Sequence, residues 1–196
     1  KTIHGIEKQT TKETADQIQQ GIAKEILRFH VLANSDSEED QKLKLEVKDR
    51  LVDYMKDILD GAEDVKETKK RITENRETIC LVAEQEIQKQ GYTYPVSVNL
   101  EKCYFPMKTY GDCTFPAGTY EALRVCIGKA KGRNWWCVLY PGLCFADSVN
   151  VIVPDEKKQE LKNILTEEEY ESLFDWREDD YQIRSGFLRL WRKLFA

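Results

Sequence analysis

The chain has 196 residues, of which 41% are hydrophobic and 33% are charged, so it is long enough to bury a substantial core in one domain with an extension. Its 35 acidic and 30 basic side chains leave a net charge of -5, which excludes a chain-wide electrostatic footprint for nucleic acid. No apolar run approaches the roughly 18 residues that a membrane-spanning helix needs.

The N-terminal part of the chain predicts a tether, a strand and an elbow, in that order. Residues 1–24 are rich in Lys, Gln and Thr and predict a polar tether or, from isoleucines at four-residue spacing, a short helix. Residues 26–34 alternate and contain β-formers, which predicts a strand. Residues 35–38 read Ser-Asp-Ser-Glu, a sequence that ends a strand and caps a helix, so the chain is expected to turn there.

Two long helices are predicted next. From residue 39 to 59 apolar side chains recur every three or four positions, acidic residues come early and Gly61 follows the end, as in an amphipathic helix. A weaker apolar stripe over residues 63–90, closed by Gly91, predicts a second helix. The short connection between them predicts an antiparallel pair.

The middle of the chain changes to a two-residue periodicity. Residues 94–101 and 118–128 predict strands of the main sheet. Residues 134–145 hold two adjacent tryptophans and two cysteines around a Pro-Gly turn, and they predict a hairpin. Trp135 and Trp136 are expected on opposite faces of its first strand, one in the core and one available to a partner.

A C-terminal extension is predicted after Pro154. Two short helices are expected first, and residues 181–185 are compatible with an edge strand. The tail from Leu188 to Phe195 forms a basic amphipathic pattern, which either docks into the protein's own core or makes a peripheral contact with an anionic membrane.

Together these elements predict an α+β fold. A mixed or antiparallel sheet packs against two long helices, with the Trp-Cys hairpin at one end and a helical C-terminal extension. The predicted organisation is a tether or short helix over 1–24, an α+β signalling domain over 25–154 and the extension over 155–196.

The six cysteines favour disulfides over a metal site. They lack a Cys-x-x-Cys pair and are accompanied by only two histidines, which disfavours zinc. Their even number favours bridges and an oxidising compartment, with buried free thiols in a cytosolic protein as the alternative. A four-residue hairpin loop would set Cys137 and Cys144 face to face and favours a bridge between them, whereas a tight turn would set Cys144 opposite Leu139. The pairing of Cys80, Cys103, Cys113 and Cys126 stays open.

No catalytic unit is complete in the sequence. Ser35 lacks the Gly-x-Ser-x-Gly surround of a hydrolase elbow, and His30 lies in a strand together with Arg28 and Leu32 on one face. The sequence therefore predicts no catalytic residue, no metal and no cofactor. A cell-wall hydrolase or amidase that uses His30 with a Cys or Asp partner is the alternative.

Two separated stretches resemble one protein family. They are Leu27–Lys44, which reads LRFHVLANSDSEEDQKLK, and Gly132–Phe145, which reads GRNWWCVLYPGLCF; between them Phe115–Ala122 is similar to a Pro-Ala-Gly-x-Tyr-x-Ala pattern. In this order they resemble the stage II sporulation protein R family of endospore-forming Firmicutes. The chain departs from the family at Gly142, where a second proline is expected, and in four of its cysteines.

The resemblance implies a non-enzymatic signalling protein. Such a protein is made in the forespore, is secreted into the intermembrane space between forespore and mother cell, and activates a membrane-embedded aspartic sporulation protease that processes the sigma-E precursor. The partner-binding residues carried over from the two stretches are His30, Asn34, Ser35, Asp36, Asp40, Gln41, Asn134, Trp135 and Trp136. We expect the elbow and the Trp-Cys segment to converge into one surface.

Overall fold

The computed structural model describes residues 15–145 and 152–175. In chain order they form helix α1 (15–25), β1 (Leu27–Leu32), α2 (Glu38–Leu59), α3 (Val65–Glu74), α4 (Arg76–Lys89), β2 (Val96–Phe105), β3 (Lys108–Tyr110), β4 (Cys113–Phe115), β5 (Gly118–Ile127), β6 (Asn134–Tyr140), a 3-10 helix (Leu143–Phe145), α5 (Asp155–Ile164) and α6 (Glu167–Asp175). This is the predicted α+β class.

A mixed four-stranded sheet organises the domain. Its order is β2-β5-β1-β6, with β1 parallel to β5 and antiparallel to β6, and with β2 antiparallel to β5. Strands β3 and β4 form a separate two-stranded sheet. Every residue of β1 is buried, because this strand has a neighbour on each side and a packed layer on each face.

The two faces of β1 contribute to different core clusters. Leu27, Phe29 and Val31 pack with the apolar stripes of α2 to α4 in a first cluster. Arg28 and His30 point to the opposite face, where Phe105 belongs to a second cluster formed with α1, β4, α5 and α6. The period of two in the strand therefore separates an apolar face from a face that carries two basic side chains.

Helix α2 confirms the first predicted long helix. Ser37 is its N-cap and accepts a hydrogen bond from the backbone of Asp40, acidic residues fill the first turn, and the buried positions recur every three to four residues. The second predicted helix is wrong as a single element, because it breaks at Asn75 into α3 and α4. The Asn75 side chain donates to the carbonyl of Arg71 and its backbone leaves the helical geometry of α3.

The hairpin prediction for the Trp-Cys segment is also wrong. Strand β6 ends at Tyr140, and the chain turns into the 3-10 helix instead of returning as a second strand. Pro141, Gly142 and Leu143 are buried, and Leu143 joins the second core cluster. Burial of Leu143 draws the chain inward, away from the path that a hairpin partner would follow.

The helices at both ends of the described chain complete the second cluster. Ile22 of α1, Leu161 of α5 and Leu173 of α6 are fully buried there. The edge strand predicted over 181–185 and the basic tail lie outside the described residues. Among those that are described, no helix combines the length and apolarity needed to cross a bilayer.

Candidate functional site

A buried carboxylate holds the elbow between β1 and α2 together. Asp40 is 4% exposed, and one of its oxygens accepts hydrogen bonds from Ser35 Oγ at 2.5 Å and from Asn34 Nδ2 at 2.8 Å. Burial by itself raises the pKa of Asp40, but these hydrogen bonds outweigh it and hold the pKa below its ordinary value. The elbow is thus built around a charged, hydrogen-bonded carboxylate.

The same elbow is fastened to the loop that precedes β6. Asn34 Oδ1 accepts from the backbone of Lys129 at 3.0 Å, and Asp36 Oδ1 accepts from the backbone of Arg133 at 2.7 Å. The backbone of Gly132 donates to the Ala33 carbonyl at 3.0 Å. A Cβ at Gly132 would collide with the carbonyl oxygen of Ser35, so the two chains can approach this closely only because Gly132 has no side chain.

Two side chains of α2 extend this contact. Gln41 Nε2 donates to the Ser35 carbonyl at 2.9 Å, and Lys44 Nζ donates to Gln41 Oε1 at 2.7 Å and to the Arg133 carbonyl at 3.2 Å. Burial lowers the pKa of Lys44, and the charge of Arg133 adds to that effect. We call the joined residues 33–41 and 128–133 the clasp.

Strand β6 continues the clasp into the tryptophans. Its register with β1 sets Trp136 opposite His30 and Asn134 opposite Leu32. Trp135 lies on the face that packs against α2, with its ring 5.6 Å from that of Phe29 in β1 and under Lys48 of α2, and Trp136 faces the second cluster. The structure therefore brings the elbow and the Trp-Cys segment together at one end of the sheet.

Arg28 lies in a cage of aromatic rings on the second face. Its guanidinium carbon is 4.5 Å from the ring centre of Phe105 and between 5.2 and 5.6 Å from those of Tyr110, Phe115 and Tyr120. The side chain is fully buried, and Nη2 donates to Tyr110 Oη at 3.1 Å. Buried cations are costly, so this residue is unusual for a strand at the centre of a sheet.

His30 lies next to this cage and is 4% exposed. Its ring stacks on Trp136, with 4.9 Å between centroids, and lies 5.2 Å from Phe105. Burial, reinforced by the charges of Arg124 and Arg28 and opposed by Glu101, lowers the pKa of His30 to about 4. The imidazole is therefore neutral at neutral pH.

An open groove of about 560 Å³ runs beside β6. One wall is the surface of α2, where Lys48 and Lys56 alternate with Asp49 and Asp53 around Val52, and the other wall includes Tyr110 and Ile152. The tryptophans and both cysteines of the Trp-Cys segment, Trp135, Trp136, Cys137 and Cys144, also line it. We call this feature the β6 groove.

The described cysteines are all free thiols in the structure. Cys144 Sγ hydrogen-bonds to the carbonyl of Val138 at 3.1 Å, and burial together with a hydrogen bond to Cys137 raises the pKa of Cys144 well above its ordinary value. The bridge predicted between Cys137 and Cys144 is not formed here and stays a prediction. The other pairings stay open.

The described residues assemble no catalytic dyad around His30. Both imidazole nitrogens are buried, and neither has a hydrogen-bond partner among the residues that the structure describes. In the ranges 15–145 and 152–175 no group of three or more His, Cys, Asp or Glu side chains is arranged to hold a metal ion. The hydrolase alternative therefore gains no support from this geometry.

The sequence-predicted partner residues differ in their accessibility. Asp36 is exposed, whereas His30 and Asp40 are buried and act on the surface only through their neighbours. The half-buried members are Asn34, Ser35, Gln41, Asn134, Trp135 and Trp136.

Sequence reasoning missed the roles of Arg28, Tyr110 and Arg133. Arg28 could have been noticed because it occupies an inward-facing strand position, and an arginine is rarely fully buried there unless it is paired. Nothing local to Tyr110 could have linked it to β1, since the Arg28 to Tyr110 hydrogen bond joins residues 82 positions apart.

Comparison with known proteins confirms the family resemblance that the two sequence stretches indicated. A family model described as Stage II sporulation protein R (spore_II_R) matches residues 23–150. Stage II sporulation protein R of Bacillus subtilis (strain 168) is 33% identical over 174 residues, which cover 86% of this chain and 76% of that protein. No solved structure shows a significant match.

Proposed function

The chain belongs to the stage II sporulation protein R family, and from that premise we propose that it is the secreted signal of endospore formation that the sequence suggested. It is exported from the forespore into the space between the two membranes. There it activates a membrane-embedded aspartic protease of the mother cell, which processes the sigma-E precursor. It acts by binding and has no catalytic step of its own.

The observation that carries this proposal is the clasp. Asp36 and Arg133, from segments almost a hundred residues apart in the chain, meet through a backbone hydrogen bond of 2.7 Å and a side-chain contact of 3.4 Å. This contact makes one continuous surface of the exposed elbow and the edge of β6 with its tryptophans. Half-buried tryptophans beside a polar rim are compatible with the centre of a protein interface.

Binding can activate the protease only by favouring one of its states. A messenger that contacts active and inactive forms equally well would shift nothing, whatever its affinity. We therefore place the extracytoplasmic part of the protease against the clasp and the β6 edge, with contacts that exist only in its active, dimeric arrangement. The tryptophan rings supply contact area, and the polar rim supplies orientation.

The test is coexpression of the chain with the protease and the sigma-E precursor. Asp36→Ala removes an exposed carboxylate of the clasp, and we expect precursor processing to fall at least about tenfold, as loss of a charge-assisted hydrogen bond predicts. Asp57→Ala on the exposed side of α2 is the matched control and should process normally. If both variants are folded by circular dichroism and support equal processing of the precursor, the clasp is not part of the interface with the protease.

Trp136 needs a more conservative change than alanine. Its ring stacks on His30 and lies 4.7 Å from Phe105, so Trp136→Ala would open a cavity as well as remove a contact. Trp136→Phe keeps an aromatic ring over His30 and shortens the part that reaches the groove. Reduced processing by this variant at unchanged stability supports direct contact with the protease.

The proposed compartment is oxidising, which bears on Cys137 and Cys144. In the exported protein we expect these two thiols to be bridged, and closure of so short a loop contributes roughly 2–3 kcal/mol by restricting the unfolded chain. Unfolding the exported protein in an alkylating reagent without reductant, followed by peptide mass spectrometry, checks this. Alkylation of both sulfurs would show that no bridge had formed.

A further inference from the structure

Arg28 is a buried cation whose hydrogen-bonding capacity is largely unused. It is fully buried, and among the described residues only the hydroxyl of Tyr110 accepts a hydrogen bond from it, from Nη2. Nε and Nη1 are buried and have no hydrogen-bond partner in that part of the chain. Within the described ranges no carboxylate forms an ion pair with it, although a buried charge is normally paired.

The aromatic cage compensates this charge only in part. The faces of aromatic rings attract a desolvated guanidinium through their negative electrostatic potential. The rings do not accept the hydrogen bonds that the guanidinium N–H groups of Arg28 would donate in the guanidinium plane. A native protein that keeps such donors unsatisfied in its interior calls for a specific reason.

The position of the cage supplies that reason. Tyr110, which accepts the single hydrogen bond of Arg28, lines the β6 groove, and so does Trp136, whose ring covers His30. The unused donors of Arg28 and His30 thus lie directly behind two aromatic side chains of the groove wall. Displacement of those rings by a ligand would bring the donors into contact with it.

We propose that the β6 groove binds an acidic segment of the partner protein, and that Arg28 and His30 receive its carboxylate when Tyr110 and Trp136 move aside. Arg28 forms the paired hydrogen bonds that an arginine makes with a carboxylate, and neutral His30 donates one more. The apolar lining, including Val52 and Leu143, takes the aliphatic neighbours of the acidic group. The identity of the partner rests on the proposed function; the carboxylate chemistry does not.

A site of this kind has a characteristic response to mutation. Arg28→Met removes the desolvated charge together with its one hydrogen bond to Tyr110 and its contacts with the cage, so the gain and the loss in stability oppose each other. The variant should therefore stay folded and lose its capacity to bind a carboxylate. Arg50→Met, at an exposed position of α2, is the matched loss of one positive charge.

The experiment uses the full chain and short peptides that differ in one group. One blocked peptide carries aspartate between leucines, its counterpart carries asparagine, and a third has no acidic side chain but a free C-terminal carboxylate. The readout is the Nε–H signal of Arg28 in nuclear magnetic resonance, together with the dissociation constant. We expect the signal to shift with a carboxylate peptide and not with the asparagine peptide, and Arg28→Met to weaken binding at least about tenfold while Arg50→Met does not. The aspartate and C-terminal arms show which carboxylate is preferred.

Each result decides the matter. Unchanged binding in a folded Arg28→Met variant would overturn the proposal, and so would an Arg28 signal in the native chain that responds to none of the carboxylate peptides. If Arg28→Met does not fold, the signal in the native chain gives the answer alone. Peptide binding without protease activation would reject the proposed function and support the carboxylate site. Protease activation by a chain that binds no carboxylate peptide would support the proposed function and reject the carboxylate site.

Discussion

His30 shows how burial sets the chemistry of a single side chain. The ring is held between Trp136 and Phe105, and no acceptor from the described ranges is in place to stabilise a second proton. Arg28 on the same strand and Arg124 on β5 further disfavour the charged form, with Glu101 on β2 as the opposing charge. The residue that looks most like a catalytic base in the sequence is therefore a neutral component of a packed cluster.

This environment predicts a specific loss of stability in mild acid. The unfolded chain binds a proton at His30 with a pKa of 6.5 and the folded chain with a pKa of about 4, so the unfolded state takes up the proton first as the pH falls. Stability is complete above pH 6.5 and declines between 6.5 and 4, by up to roughly 3 kcal/mol. Urea unfolding at several pH values measures it.

His30→Phe is the control for that decline. A phenyl ring keeps the stacking and cannot take up a proton, so the variant should lose much less stability than the native chain over the same range. Carboxylates with lowered pKa values, such as Asp40, contribute to both proteins equally and cancel in the difference. Parallel pH profiles for the two proteins would contradict the role assigned to His30.

Among the elements, the clasp depends on the loop 128–133, in which no local pattern indicates contact with the elbow. Gly132 lies against the Ser35 carbonyl, and Gly128 adopts a φ of 58° beside Asn34. Gly132→Ala should force the loop away from the elbow and destabilise the fold by roughly 1–3 kcal/mol, the usual result of overpacking a tight contact. Chemical denaturation measures the loss.

Lys131→Ala is the control in the same loop, because it adds no atom that would clash with the Ser35 carbonyl. The Lys131 side chain is exposed, and its contact with the elbow is made by the backbone, which donates to the Asn34 carbonyl at 3.2 Å. This variant should retain native stability and the protease activation that we propose, whereas Gly132→Ala should lower both. A stable, fully active Gly132→Ala chain would mean that the elbow and loop do not need to touch.

The elements also show where sequence patterns succeed and fail. Helix α2 was predictable because its apolar spacing, its Ser37 cap and its early acidic residues all agree. The break at Asn75 was not, because Ile72 and Ile79 are seven residues apart and keep the apolar stripe in phase across it. The Pro-Gly turn after β6 gave a hairpin pattern, but burial of Leu143 decided the path of the chain.

At the scale of the whole molecule, long-range pairing is the part that local patterns leave open. No periodicity indicates that β1 lies between β5 and β6, or that it runs parallel to one and antiparallel to the other. The burial of all six residues of β1 follows from that central position. The same pairing sets His30 against Trp136. The sequence motifs therefore identify the residues of the candidate site but do not predict which of them are in contact.

The second core cluster makes the terminal helices part of the domain's stability. Leu161 of α5 and Leu173 of α6 are fully buried with Phe115 and Ile22, although both lie outside the residues 23–150 that the family model matches. Each should therefore behave as a core residue, and the full chain should unfold in a single transition that includes α5 and α6.

Leu161→Ala is the direct measurement of this coupling. Removal of a fully buried leucine side chain should lower the free energy of unfolding by about 2–5 kcal/mol, and signals from tryptophan fluorescence and from helical circular dichroism should shift together. Leu45→Ala, at a position that is 45% exposed on α2, is the matched truncation and should cost far less. An early separate transition of the helical signal, with the fluorescence midpoint unmoved, would show instead that the C-terminal helices form an independent unit docked on a self-sufficient sheet.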